Sequence, residues 1–150
     1  MPLRRLGVTI FVFALGLFVA APAHGLGEKL GQTKEQLKLA YEVSCIEHGT
    51  GRVTVNLTIT DEGRLKPLTG VELVIPGESG TGFVDLSIPL AVRNVDGNRR
   101  VDLHLKREWA ARAEIQLRTR TLDGKSSPLT WHYHSIPIAQ YLKNPAPKNH

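Results

Sequence analysis

Cysteine is almost absent from this chain, which contains only Cys45. A single cysteine excludes an intramolecular disulfide, so the fold must be held together by its own hydrophobic core. Cys45 also lies too far from the N-terminus to be the lipid-bearing cysteine of a lipoprotein. It occupies an apolar position of an alternating segment, and we therefore predict a buried, unreactive thiol.

An apolar run long enough to cross a membrane is also missing. The longest uncharged apolar run covers residues 6–21 and is shorter than the roughly 20 residues that a spanning helix needs. Arg4 and Arg5 precede this run, Ala21 ends it, and the small residues Ala23 and Gly25 follow shortly after. This order is typical of a secretory signal peptide. We expect a signal peptide over residues 1–23, with cleavage after Ala23 or Gly25, and a secreted or periplasmic protein without a membrane span after processing.

Helical periodicity is absent after the signal segment, and alternation of apolar with polar residues takes its place. The clearest case is residues 53–60, where Val53, Val55, Leu57 and Ile59 alternate with polar residues. Strict alternation predicts a half-buried strand, and Asp96-Gly97 predicts a hairpin turn.

Similar segments recur from about residue 37 to residue 142 with turn residues between them. They predict one all-β domain over residues 37–142, a single antiparallel β-sandwich of about seven to eight strands. A flexible lead-in at 24–36, with at most one helical turn, and a disordered tail at 143–150 are expected around it.

This arrangement of strands resembles the immunoglobulin-like and fibronectin type III-like sandwiches that are common in exported proteins. The resemblance covers about Leu37 to Leu142 and concerns architecture, so it implies two facing sheets and no particular activity. The residues that we expect in the core share the inward parity of their strands: Tyr41, Val43, Val55, Leu57, Leu73, Leu86, Leu103, Ile115, Leu117 and Trp131.

Motifs for covalent or phosphate chemistry are missing as well. The chain has no G-x-S-x-G nucleophile motif. The glycine-rich segment Gly80-Thr81-Gly82 precedes an alternating segment instead of a helix, so it does not predict a phosphate-binding loop. We therefore expect no enzymatic activity and no cofactor, and we predict an exported domain with a binding or structural role.

Histidines supply the alternative function, which is periplasmic binding of a metal such as copper. His132 and His134 flank Tyr133 on one predicted strand, so both imidazoles are expected on its outward face, with Trp131 and Tyr133 facing the core. Imidazole suits zinc or copper. His48 is expected alone in a turn.

A second set of candidate ligands depends on signal cleavage after Ala23, which makes His24 the N-terminal residue. Asp102 and His104 lie two positions apart on another predicted strand. An N-terminal histidine with a distant Asp-x-His resembles the copper site of the small periplasmic copper carriers. The resemblance implies His24, Asp102 and His104 as ligands.

Charge is only mildly unbalanced. The signal segment carries two of the 19 basic residues and none of the 14 acidic ones, so its removal lowers the net charge from +5 to +3. This balance does not predict a nucleic-acid partner. Basic residues at outward positions predict either a solvated face that acidic residues balance in part or, if their strands pair, contact with an acidic partner or a polyanionic surface: Arg100, Lys106, Arg112, Arg118 and Arg120.

Overall fold

The protein is mostly β-structure in two sheets. The computed structural model describes residues 28–77, 84–120 and 130–143, so the predicted signal peptide and residues 144–150 of the predicted tail lie outside the described residues. The strands in the described ranges are β1 (Glu28–Gly31), β2 (Ala40–His48), β3 (Arg52–Asp61), β4 (Gly70–Ile75), β5 (Leu86–Pro89), β6 (Arg93–Val95), β7 (Asn98–Lys106), β8 (Glu114–Thr119) and β9 (Thr130–Pro137).

The same described ranges contain four short helical segments. Two are single α-helical turns, α1 (Lys34–Leu37) and α2 (Arg107–Ala110), and two are 3₁₀ turns at Gly63–Leu65 and Ile138–Tyr141. In the part of the chain that the structure describes, no helix is long and apolar enough to cross a membrane.

The strands are divided between a five-stranded sheet and a four-stranded sheet. Sheet A has the order β1-β9-β8-β4-β5, and sheet B has the order β2-β3-β7-β6. The prediction of two facing sheets built from short strands agrees with this arrangement. Within the described part of residues 37–142 the structure has eight strands, β2 to β9, and they pair antiparallel; β1 precedes that range and pairs with β9 in parallel, which the prediction did not include.

Inner faces of both sheets meet in one hydrophobic core. Strand β3 shows why the sequence folds this way, since Val53, Val55, Leu57 and Ile59 are all buried while the residues between them are less buried. Burying an aliphatic side chain of this size contributes about 1.5–3 kcal/mol. Sheet A covers them with buried residues of the same kind, including Val71, Leu73, Ile115, Leu117 and Ile136.

Regular structure begins earlier than the sequence indicated. The predicted lead-in at 24–36 contains β1 and most of α1 in its described part, where a flexible segment was expected. Thr33 caps α1 by accepting a hydrogen bond from the Gln36 amide, and the Gln36 side chain accepts one from the Thr33 amide. Leu37 ends the helix fully buried. Local sequence does not reveal β1, because its partner strand lies about a hundred residues away in the chain.

Residues with positive φ shape several turns of the described ranges, and two of these turns show why. Asp96 and Gly97 have φ of 50° and 82° and join β6 to β7, which confirms the predicted hairpin. Gly63 has φ of 54°, and a Cβ at this position would collide with the backbone carbonyls of Leu37 and Lys38. Glycine at residue 63 therefore lets the 3₁₀ turn pack against the end of α1.

Six of the ten predicted core residues are buried, and two more, Tyr41 and Val43, pack partly buried against the core. Two of the predictions are wrong. Leu86 is 50% exposed because it lies on β5, a short strand at the edge of sheet A. Trp131 lies on the outer side of sheet A, where the guanidinium groups of Arg118 and Arg120 lie 5.1 Å and 4.1 Å from its ring centre.

Candidate functional site

His134 lies on the inner side of sheet A and is 8% exposed. Its Nδ1 lies 2.9 Å from the carbonyl oxygen of Gln32, and its Nε2 lies 2.9 Å from the hydroxyl oxygen of Tyr41. A carbonyl only accepts hydrogen bonds, so Nδ1 must carry the proton, and in the neutral ring Nε2 accepts from Tyr41. The histidine is thereby held in one tautomer and one orientation.

The outward placement predicted for His132 and His134 is wrong for both. Ile136 has the same parity on β9 and is 1% exposed, so this side of the strand faces the core. The aromatic residues Trp131 and Tyr133 take the opposite side. The prediction placed the larger aromatic rings inside, whereas Ile136 was the residue that indicated the buried face.

Tyr41 projects from β2 towards His134. Burial, together with a smaller contribution from the neighbouring Tyr141 hydroxyl, raises the pKa of the Tyr41 hydroxyl to about 12. The ammonium nitrogen of Lys34 lies 4.4 Å from the centre of the Tyr41 ring, which places a cation on the ring face. The phenol therefore stays protonated at neutral pH and can act as a hydrogen-bond donor.

A cleft of about 700 Å³ opens beside this hydrogen-bonded group. We call it the tyrosine cleft. It lies where α1, β2, β9 and the 3₁₀ turn at Ile138–Tyr141 come together, and its lining residues carry mainly hydroxyl, amide and charged groups: Gly31, Gln32, Thr33, Lys34, Glu35, Tyr41, Tyr133, His134, Ser135, Gln140 and Tyr141.

The sequence did not identify this cleft. Tyr41 was expected to be a core residue, and Gln32 to Glu35 fell in the predicted lead-in. The capping pair Thr33 and Gln36 was the one local signal, because a Thr-x-x-Gln spacing favours a helix start. The approach of this helix to β9 depends on the parallel pairing of β1, which no local pattern indicates.

The two predicted sets of metal ligands are only partly brought together. Both ring nitrogens of His134 already have partners, while Nδ1 of the half-buried His132 has none among the described residues. Metal binding by His132 and His134 stays a prediction, and it would cost one of the two hydrogen bonds of His134, because a metal ion binds one ring nitrogen. His24 lies outside the described residues.

Asp102 and His104 lie on the outer side of β7, as predicted. The Asp102 carboxylate, however, forms ion pairs with Arg93 and with Arg100, whose Nε lies 2.9 Å away. These two guanidinium groups neutralise the carboxylate that the predicted copper site would use. Its role as a ligand stays a prediction.

His104 has a different neighbour. His48 was expected alone in a turn, but it is the last residue of β2 and lies on the same exposed face as His104. The hydroxyl oxygen of Thr54 lies 2.8 Å from Nε2 of His48 and 3.1 Å from Nδ1 of His104. Among the described residues, no group of three or more His, Cys, Asp or Glu side chains is placed to hold a metal ion.

The predicted basic face does not form as one surface, because its strands do not pair. Strand β7 carries Arg100 and Lys106 in sheet B, whereas Arg118 lies on β8 in sheet A. Arg118 also forms an ion pair with Glu72, and Arg112 precedes β8. Contact with an acidic partner stays a prediction, and no single sheet face carries all five residues.

Cys45 is half-buried on the inner side of β2 and packs against the core. Burial raises the pKa of its thiol, and the charge of Glu47 raises it further. The thiolate is the reactive form, so both effects lower the reactivity of this cysteine at neutral pH.

Comparisons of the chain with protein-family models, with curated proteins and with solved structures found no match.

Proposed function

We propose that this protein is an exported, non-enzymatic binding domain with an immunoglobulin-like sandwich architecture, and that the tyrosine cleft is its ligand-binding surface. The observation that carries the proposal is the fixed Tyr41–His134–Gln32 hydrogen-bonded chain beside an open polar cleft. Binding sites place a few polar groups in defined orientations within a concave surface.

The chemistry of the cleft favours binding over catalysis. A general base must have a ring nitrogen within hydrogen-bond reach of the proton that it takes from the substrate. Both nitrogens of His134 are engaged, and the Tyr41 phenol, with a pKa of about 12, is a poor nucleophile at neutral pH. These groups therefore act as fixed hydrogen-bonding positions.

The lining also indicates the class of ligand. Lys34 and Glu35 contribute opposite charges, and the remaining side chains offer hydroxyl and amide groups. Tyrosine combines an apolar ring with a polar tip. This combination suits a neutral ligand that has both hydroxyl groups and apolar C–H faces, and we propose a short neutral saccharide.

NMR titration of ¹⁵N-labelled protein with a panel of neutral oligosaccharides tests this proposal. We expect saturable shifts in Thr33, Tyr41, Tyr133 and Tyr141 for at least one saccharide. Tyr133→Ala and Tyr141→Ala should weaken binding at least about tenfold, since buried aromatic contacts dominate such sites. Trp109→Ala is the matched control, because Trp109 is exposed on α2 and lines a different groove. The proposal is contradicted if no saccharide of the panel causes shifts, or if Trp109→Ala weakens binding as much as the two tyrosine variants do.

Export has its own test. Expression of the full chain in a bacterial host, followed by intact mass measurement of the periplasmic and culture fractions, should give a mature protein that begins at His24 or Leu26. Recovery of only the full-length chain from the cytoplasm would contradict export.

A further inference from the structure

The outer face of sheet B brings together two histidines from different parts of the chain. His48 ends β2, His104 lies on β7, and β3 runs between these strands. Ring nitrogens of both histidines lie within hydrogen-bond distance of one oxygen, the hydroxyl of Thr54 on β3. The hydroxyl has a single proton, so it can donate to only one of the two rings.

We propose that His48 and His104 form a two-histidine site for a late first-row divalent transition metal ion, bound most tightly as copper(II). Neutral imidazole is a good ligand for copper, nickel and zinc, and the affinity of a nitrogen site for divalent ions peaks at copper. This site is independent of the tyrosine cleft, which lies on the other side of β2.

The geometry allows both rings to reach one ion. Both histidines are exposed, so their rings can rotate without disturbing the core. A metal–nitrogen bond is about 2.0–2.1 Å, and both nitrogens already point to a common position beside Thr54. Two imidazoles occupy two coordination positions, and water completes the rest.

Neighbouring charges limit the affinity. Arg52 and Lys106 lie beside His48 on the same face, and the nearby Asp102 is already paired with Arg93 and Arg100. Cationic neighbours oppose the binding of another cation. We therefore expect a dissociation constant of about 10 μM for copper(II) and weaker binding of nickel(II) and zinc(II).

Titration of the mature protein with CuCl₂, followed by NMR, locates the site directly. Copper(II) is paramagnetic, so the imidazole signals of the residues nearest the ion broaden first. We expect the signals of His48 and His104 to disappear at substoichiometric copper, before those of His132 and His134. Broadening that is centred on any other residue overturns the proposal, because the strongest site then lies elsewhere.

Calorimetry on variants gives the second test. His48→Ala and His104→Ala should each lower the copper affinity of this site at least about tenfold, because each removes one of its two ligands. Thr54→His should raise the affinity at least about tenfold by adding a third imidazole from the strand between them. Circular dichroism and thermal unfolding of each variant verify that the fold is intact.

Two control variants separate this site from its alternatives. Asn56→Ala changes a neighbouring polar residue on the same face, and Asp102→Asn removes the carboxylate that the sequence predicted as a ligand. Both should leave the copper affinity unchanged within about twofold. If Asp102→Asn lowers the affinity as much as His104→Ala does, or if the double variant His48→Ala/His104→Ala binds like the unmodified protein, the proposed pair is wrong.

Discussion

The two faces of β2 hold their side chains in contrasting ways. On the inner face, Tyr41 donates to a buried histidine whose other nitrogen is also bonded. On the outer face, His48 shares one hydroxyl with the exposed His104. The same residue type is therefore a fixed structural element on one side and an available ligand on the other. The difference comes from burial and from the number of fixed partners.

We expect the largest change in stability from His134→Ala, which removes the histidine on the inner face. The substitution leaves the Gln32 carbonyl and the Tyr41 hydroxyl without their partner and opens a small cavity. We expect a loss of about 3 kcal/mol in the free energy of unfolding, since an unsatisfied buried polar group costs about 1–3 kcal/mol. Urea unfolding followed by tryptophan fluorescence measures it. A loss below about 1 kcal/mol would show that the buried histidine is no more important to stability than a surface residue.

Tyr41→Phe removes only the hydroxyl of the same contact. His134 Nε2 then loses its donor while the ring still packs, so we expect a loss of about 1–2 kcal/mol in the free energy of unfolding. Unfolding in urea at neutral pH is again the measurement. A variant as stable as the parent would contradict the importance of this hydrogen bond.

The same hydroxyl predicts the pH dependence of stability at alkaline pH. Its pKa is about 12 in the folded protein, against 10.0 for an unperturbed tyrosine, so folding favours the neutral phenol. This contribution is fully present below about pH 10 and is lost as the pH rises through 12. Between pH 9 and 11.5, the free energy of unfolding should therefore fall more steeply with pH for the parent than for Tyr41→Phe. If the free energy of unfolding depends on pH in the same way in both proteins, the raised pKa of Tyr41 is contradicted.

Cys45 offers a smaller effect on the inner face. Cys45→Ala removes a half-buried sulfur that packs against the core, and we expect a loss of about 1 kcal/mol in the free energy of unfolding. The native thiol should react with Ellman's reagent much more slowly than the thiol of the unfolded chain. Rapid reaction of the native protein would show that the Cys45 thiol is accessible to solvent, which contradicts this prediction.

The smallest effect belongs to the exposed pair. His48→Ala and His104→Ala should each change the free energy of unfolding by no more than about 0.5 kcal/mol in the absence of metal, because surface substitutions away from buried networks rarely do more. Thermal unfolding in the presence of EDTA measures the stability of these two variants, and the same measurement on His134→Ala gives the comparison. A large loss in either variant would make the outer pair structural as well.

Sequence alternation was sufficient for β3 and insufficient for β9. In β3 the apolar residues occur at every second position, so one face was unambiguous, and the structure confirms it. In β9 one face carries Trp131 and Tyr133 and the other carries histidines. Hydrophobicity alone therefore predicted that the wrong face of β9 is buried. Only the neighbouring Ile136 distinguished them, since an aliphatic residue tolerates exposure less well than tyrosine or histidine does.

The candidate sites were harder to predict because they are made by long-range pairing. Tyr41 and His134 are 93 residues apart, and His104 and Thr54 are 50 residues apart. Alternation assigns a residue to a face of its strand but does not say which strand lies beside it. The prediction that His104 faces outward was correct for this reason, while the presence of His48 beside it depended on the strand order of sheet B.

The parallel pairing of β1 with β9 also constrains the order in which the chain can fold. Glu28 pairs with Thr130, so β1 can join sheet A only after β9, the last described strand, is available. Contacts with such large separation form slowly, since closing a long loop costs entropy before any contact repays it. The tyrosine cleft, which depends on this pairing, should therefore be among the last parts of the protein to form. A chain that leaves the ribosome or enters a translocation pore with its N-terminus first would stay incompletely folded until almost all of it has emerged.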